Sequence, residues 1–418
     1  MRLAHAGRGG RPDETKEALV HLTAAPGPHC LMLRLALRDV ERALAPILIE
    51  CLSGRVRLAI EVPAGDPAAV AHAVNALAAK LGRRRPRVGI VDGGDLLATQ
   101  GGAGLLGVPC DPPPPPDSVL VAAHVRFGAA PLLALFAKGA EIIVSGPLTP
   151  SATAIAFARY AHRWPAEDHA RIAAAAAAGK ILASGPAAVG GDLFDPAIDA
   201  PRAIGLPICD VAEDGAVVFE STRDPPPVAG LALALLDGVE DPRAWIEPDV
   251  RVDLDDATLI GARLSGVRGD AAPGHLPGTL VFETGFVGEA ELAYGGTGAA
   301  GRAIHAARAL ETRLAGMPPD MRVRIEIVGL DAATRGCGAR AADLAVVPGK
   351  DVRVRLATRA HTRDAVDAAL AEFAAIAAFG PAGAGGVRQS AHPERRVSIA
   401  AIPAALTTAR ASLLEADA

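Results

Sequence analysis

GAEIIVSGPLTPSATAIAFARYAHRW, residues 139–164, is the stretch on which the fold turns. A short apolar run, EIIVSG, leads through a Gly, Pro and hydroxyl-rich connection, SGPLTPS, into a segment with helical character, SATAIAFARYAHRW. Apolar strands without polar alternation, each followed by a helix, are what a parallel sheet covered on both faces produces. The same rhythm runs outward from this unit. Upstream lie RVRLAIEV (55–62), the helical DPAAVAHAVNALAAKLG (66–82), RVGIVDGGD (87–95), SVLVAAHV (118–125) and the helical GAAPLLALFAKGA (128–140). Downstream lies a further helix, AEDHARIAAAAAAGKIL (166–182). The pattern predicts an α/β fold with an N-terminal, mostly parallel sheet flanked by helices.

In such sheets the connections at the carboxyl ends of the strands form the ligand crevice. Here they are PAGDP (63–67), DGGD (92–95), HVRFG (124–128) and SGPLTPS (145–151), all rich in Gly, Pro or polar residues. DPPPPPD (111–117) reads as a stiff surface connector, because polyproline stays extended. From about residue 245 the texture turns β-rich, in WIEPDVRVDLDDATLIGARLSGVRG and TLVFETGF. A strand, loop and helix follow in GEAELAYGGTGAAGRAIHAARALETRL, then a β-α-β tail from MRVRIEIVGL to RRVSIAAIPAAL. We therefore expect two domains, an α/β domain over residues 1–240 and a second, smaller α/β (α+β) unit over 241–418. No short internal repeat is present.

Composition narrows the function classes. At 418 residues, half of them hydrophobic and 21% charged, the chain can bury sizeable cores. No apolar run approaches the ~18 residues of a membrane span, and the basic, polar start lacks an apolar signal region, so no membrane association and a cytoplasmic location are expected. The five cysteines, Cys30, Cys51, Cys110, Cys209 and Cys337, are scattered and show no zinc-ligand spacing, which suits free thiols. A net charge of -5 with 3% aromatic residues gives no nucleic-acid footprint, and GRRRPR (82–87) reads as a helix end and solvated loop.

Several residues carry possible chemistry. Lys180, one of only five lysines, stands in the glycine-bounded GKILASGPAAVGG (179–191), which we read as a loop after a helix ending at Gly179. It suits either a carboxylate or phosphate ligand or the C-terminal dipole of that helix. Asp92 and Asp95 in DGGD end a buried strand and serve either ligand binding or capping. His124 could serve as an acid or base or be structural. Ser145 and Ser184 complete a pocket at the carboxyl edge. GTGAAG (296–301) fits GxGxxG, but the next strand ends at Asp331, beyond the usual spacing of a ribose-binding acid, leaving Arg302 and a helix N-terminus as an anion cradle. GPAGAGG (380–386) reads as a connector. Asp249, Asp253 and Asp255 would share a face of one strand, though Arg251 beside them suits an ion-paired surface better than a metal. We expect no metal and no cofactor.

Seven stretches in order resemble the AtuA-like family, associated with acyclic terpene utilisation: GAEIIVSGPLTPSA, GKILASGPAAVGGDLFDP, GLPICDVAEDGAVV, IEPDVRVDLDD, GVRGDAAP, GEAELAYGGTGAAGRA and FGPAGAGGVR. The quoted stretches run from Gly139 to Arg388, within a resemblance that extends over about 86–388. The resemblance places an arginine of the family pattern on Pro147 and an aspartate on Pro150. It places a histidine on Lys180, a glutamate on Ala183, a cysteine on Ser184 and a threonine on Val189. His124 and Arg126 stand where relatives have Asn and Tyr. The shaping glycines are kept while the ionisable groups are gone.

The resemblance implies a protein that acts on or binds a small acidic or acyl-CoA-type metabolite of acyclic terpenoid or branched-acid catabolism. Lys180 would polarise a carbonyl and His124 serve as acid or base, with Asp92, Asp95, Ser145, Ser184 and Arg302 around the substrate. The alternative is a catalytically degenerate paralogue serving as a binding or assembly subunit. Beyond a small acidic or thioester ligand, the partner expected is a second copy or a related subunit.

Overall fold

The computed structural model of the protein describes residues 1–8, 12–54, 56–105, 107–191, 193, 205–272, 274–330 and 351–414. Asp331 and Cys337 lie outside them. The chain folds into two compact units, one of Met1–Cys110, Ala122–Thr279 and Ile399–Ala418, the other of Asp111–Val121 and Leu280–Ser398. Each is therefore assembled from separated pieces of sequence.

The chain begins β1 (Arg2–Arg8), α1 (Pro12–Thr23), β2 (His29–Arg34), α2 (Val40–Leu44), α3 (Leu48–Gly54), β3 (Arg57–Glu61), α4 (Pro67–Lys80), β4 (Val88–Asp92) and α5 (Leu96–Leu105). It continues through β5 (Cys110–Asp111), β6 (Val119–Val125), α6 (Ala130–Ala137), β7 (Ile142–Ser145), α7 (Ala152–His162), α8 (His169–Ala183), β8 (Pro207–Val211), β9 (Val217–Ser221) and α9 (Val228–Leu236). Five short strands follow: β10 (Trp245–Ile246), β11 (Arg251–Asp253), β12 (Thr258–Ile260), β13 (Arg263–Ser265) and β14 (Arg268–Asp270). The remainder is β15 (His275–Tyr294), α10 (Ala299–Leu314), β16 (Arg322–Val328), β17 (Val352–Ala360), α11 (Arg363–Phe379), β18 (Ala384–Pro403) and β19 (Arg410–Leu413).

The first unit is built on a ten-stranded sheet ordered β12-β13-β9-β8-β1-β2-β3-β7-β4-β19. Its central strands β1, β2, β3, β7 and β4 are parallel, and the flanking pairings, from β8 outward on one side and at β19 on the other, are antiparallel. Alternate strand residues explain the two helical layers. Leu31 and Leu33, Leu58 and Ile60, and Ile142 and Val144 join one core cluster with α1, α2 and α4. The opposite face meets α6, where a Cβ on Gly89 would approach Leu135 to 2.8 Å. Local signals agree with this layout: Asp66 caps α4 by accepting from Ala68 N at 2.8 Å, and Pro67 opens the helix.

Three expectations change. SVLVAAHV forms β6, which pairs with β15 and is not a strand of the ten-stranded sheet. β1 and β2, in the N-terminal region to which we assigned no strand, stand near the middle of that sheet. GKILASGPAAVGG is not a loop after Gly179: α8 runs on to Ala183, and a short 3-10 turn covers Gly185–Val189. Gly179 serves a close helix crossing instead, since a Cβ there would lie 2.8 Å from Ser151 Cα and 2.9 Å from Ala154 Cβ of α7. The left-handed backbone of Gly185 and Gly190 then shapes the turn.

The second unit carries a sheet ordered β16-β17-β15-β18-β5, antiparallel between β15 and β17 and between β16 and β17. α10 and α11 pack their apolar stripes, including Ala303, Leu310, Leu370 and Phe373, into its core.

Candidate functional site

A cavity of about 870 Å3 in the first unit opens where α8 ends, between the 3-10 turn and α9. Lys180 and Ser184 both line it, together with His5 of β1 and Pro150 of the SGPLTPS connection. The walls are apolar: Ala183, Pro186 and Ala187 on one side, Leu233, Ala234 and Leu236 of α9 on the other. Gly230 lets α9 approach the turn, as a Cβ on it would stand 2.8 Å from Ala188 O.

Lys180 is half-buried. Its Nζ donates to Asp237 O at 2.5 Å and lies 5.4 Å from the centre of the Trp245 ring. Burial lowers its pKa, while Asp237 and Glu247 act in the opposite direction. A partly desolvated ammonium on an apolar wall can hold a carboxylate or polarise a carbonyl. Ser184 Oγ donates to Lys180 O at 3.3 Å, so it also closes the last turn of α8.

Beside this cavity is a smaller chamber of about 40 Å3 at the carboxyl ends of the parallel strands. The two share His5, Pro150 and Ala183. His5, Glu61, Ser145, Thr149 and Thr153 give the chamber its polar lining. Glu61 is paired with Arg34 at 3.5 Å.

A buried carboxyl that sequence reasoning did not single out lies in the same unit. Glu247, 4% exposed, accepts hydrogen bonds from Ser151 and Thr149, and the two hydroxyls are themselves 3.2 Å apart. Burial pushes its pKa up to about 7; the two hydroxyl bonds and Lys180 pull down, and Asp249 adds to the rise. The local signal for Glu247 was slight, a glutamate before Pro248 in a tract whose aspartates are more conspicuous. Its contact partner lies 96 residues away.

The aspartate trio does not share a strand face, because β11 covers only Arg251–Asp253. Asp249 is buried and accepts from Ala129 N at 2.8 Å at the start of α6, and burial raises its pKa. Asp253 pairs with Arg268 at 3.1 Å and Asp255 with Arg243 at 3.1 Å.

The connections DGGD, HVRFG and SGPLTPS are brought to one edge. Asp95 and His124 form a backbone bridge, Val125 N donates to Gly94 O at 2.9 Å, and Phe127 bridges Leu148. Asp95 accepts from Ala98 N at 3.1 Å as a cap of α5, and Asp92 pairs with Arg410 at 2.7 Å. Asp92, Asp95 and His124 line neither the cavity nor the chamber. Arg302 belongs to the second unit, where it donates to Thr297 O at 2.8 Å and Gly295 O at 2.7 Å and so clamps the GTGAAG turn. It lines a separate cleft between α10 and α11. Burial holds Cys30, Cys51 and Cys209 in the thiol form, with Cys51 pushed up to about 12. Among the described residues no helix is long and apolar enough to cross a membrane.

A family model described as acyclic terpene utilisation family protein AtuA matches residues 37–413, a span wider than the quoted resemblances cover. No curated protein matches the chain.

Proposed function

The chain belongs to the AtuA family, and on that premise we propose that it binds a small branched-chain acid or its thioester in the cavity at the end of α8. Lys180 holds the carboxylate or thioester carbonyl, and the hydrocarbon lies along Ala183, Ala187 and the leucines of α9. The observation that carries this reading is a coincidence of position. Four residues that stand where the family resemblance has Asp, His, Glu and Cys, namely Pro150, Lys180, Ala183 and Ser184, line one cavity. Its volume falls in the range of small-molecule sites, and Leu233 and Leu236 leave apolar surface exposed at α9.

Replacing three ionisable groups by proline, alanine and serine favours binding over inherited catalysis, since a positioned acid or base contributes about 10²- to 10⁴-fold to a rate. A second reading, favoured by the lowered pKa of Lys180, makes the site catalytic. Lys180 then polarises the carbonyl; His124, which lines neither the cavity nor the chamber, is not needed for that step.

Thermal shift against free CoA, short and branched acyl-CoA thioesters, the matching acids and NAD(P) tests the proposal. A ligand at about 100 times its Kd stabilises the folded state by about 2.7 kcal/mol, a rise of a few degrees. Shifts confined to acids or thioesters support an acid site, and a panel with no shift refutes it.

A further inference from the structure

The cleft between α10 and α11, about 860 Å3, lies wholly within the second unit and has no part in the acid site. Small residues keep it open: Gly301 and Ala309 on α10 face Ala375 and Gly380 across it, and a Cβ added at Gly301 would meet nothing within 4 Å. The ionisable side chains on its walls are Arg302, His305 and Arg313, and no carboxylate is among the lining residues. Arg313 is paired with Glu372 of α11.

Arg302 is held without an acidic partner at the cleft. It donates to two main-chain oxygens, Thr297 O and Gly295 O, and its Cζ lies 6.0 Å from the centre of the Tyr294 ring. Its Nε is buried and has no hydrogen-bond partner among the described residues. A guanidinium has five N–H donors, so these two bonds leave a further donor on each Nη. Glycine turns flank the group: a Cβ on Gly298 would lie 3.6 Å from Nη1, and one on Gly383 3.7 Å from Nη2. His305 follows one turn later on the same face of α10 and is exposed. On the facing helix, Ile376 is buried, whereas Phe379 lines the cleft and is 89% exposed. A ring left in water to that degree adds little to the core and has a face open to a flat ligand.

Charge, shape and size together restrict the occupant. Cations with no carboxylate beside them in the cleft favour an anion, and donors from Arg302 and His305 suit the several oxygens of a phosphate. Phe379 suits a planar ring, and the volume is that of a small-molecule site. We propose that this cleft binds a nucleoside monophosphate, with the phosphate at Arg302 and His305 and the base stacked on Phe379. The site is independent of the acid site at Lys180. The sequence pointed to Arg302 as an anion cradle; His305 and Phe379 are new assignments.

Calorimetric titration of the full chain with AMP, adenosine and inorganic phosphate tests the site, in the parent and in His305→Ala, Phe379→Ala and Lys180→Met. Arg302 is left in place because it also closes the GTGAAG turn. A hydrogen bond to a charged group is worth about tenfold or more, so the parent should bind AMP at least about tenfold more tightly than adenosine. Stacking of the base should likewise place AMP about tenfold ahead of inorganic phosphate. His305→Ala should weaken AMP about tenfold and leave adenosine within about twofold; Phe379→Ala should weaken AMP about tenfold and leave inorganic phosphate within about twofold. Lys180→Met should leave AMP unchanged. No binding of AMP by the parent, or equal affinity for AMP and adenosine, overturns the proposal without any substitution. AMP affinity that survives both cleft variants, or that is lost with Lys180→Met, places the nucleotide elsewhere and overturns it as well, while the acid site is judged by its own ligands.

Discussion

Glu247→Gln removes one ionisation from the buried cluster and keeps its shape. The parent carboxyl is surrounded by Ser151, Thr149, Asp249 and Lys180, and burial raises its pKa from 4.5 to about 7. The native state therefore binds this proton more tightly than the unfolded chain does. The stability that results is complete below about pH 4.5, declines as the pH rises, and is lost above about pH 7. The interval corresponds to about 3 kcal/mol. Glutamine still accepts from Ser151 through its amide oxygen but does not ionise, so the variant should escape that decline. Urea unfolding of parent and variant at about pH 5, 6, 7 and 8 should show the difference in unfolding free energy moving toward the variant by up to about 3 kcal/mol, all other titrations cancelling. A difference that stays constant across this range would refute the buried, proton-holding carboxyl.

Two further substitutions address what positions the cavity. Gly179→Ala gains about 1 kcal/mol of helix propensity, but its Cβ would meet Ser151 Cα at 2.8 Å and Pro150 O at 3.2 Å. Backbone cannot swing away as a side chain can, so an overpacking cost of ~1–3 kcal/mol should leave the variant less stable, with a lower urea midpoint; a higher midpoint contradicts the close crossing of α7 and α8. Asp249→Ala leaves Ala129 N–H without its buried acceptor and should cost about 1–3 kcal/mol, with faster hydrogen exchange over Ala130–Ala137. Unchanged exchange there would mean that Asp249 does not hold the start of α6.

The alternation of strands and helices was readable because strands buried on both faces write apolar runs, as IIV in β7 and GIV in β4 do. Sheet membership was less readable. SVLVAAHV has the same apolar character as β7, yet it pairs with β15, more than a hundred residues away, a choice made by long-range pairing and not by the segment. GKILASGPAAVGG misled for a related reason: glycine in a helix is intrinsically unfavourable, and Gly179 is helical because α7 crosses at that point. Lys180 and Ser184 lie near each other because one turn of helix separates them. Glu247 was not legible as a buried, hydroxyl-bonded carboxyl, since its partner Ser151 lies 96 residues away in sequence.

The acid site is tested most directly at Lys180. Lys180→Met keeps much of the apolar stem and removes the charge. Titration calorimetry of parent and variant with 3-methylbutyrate should show affinity falling by about 10- to 100-fold in the variant, the usual worth of a hydrogen bond to a charged group. Equal dissociation constants would contradict a carboxylate held by Lys180, and the lysine would then be a cation at the end of α8 that donates to Asp237 O.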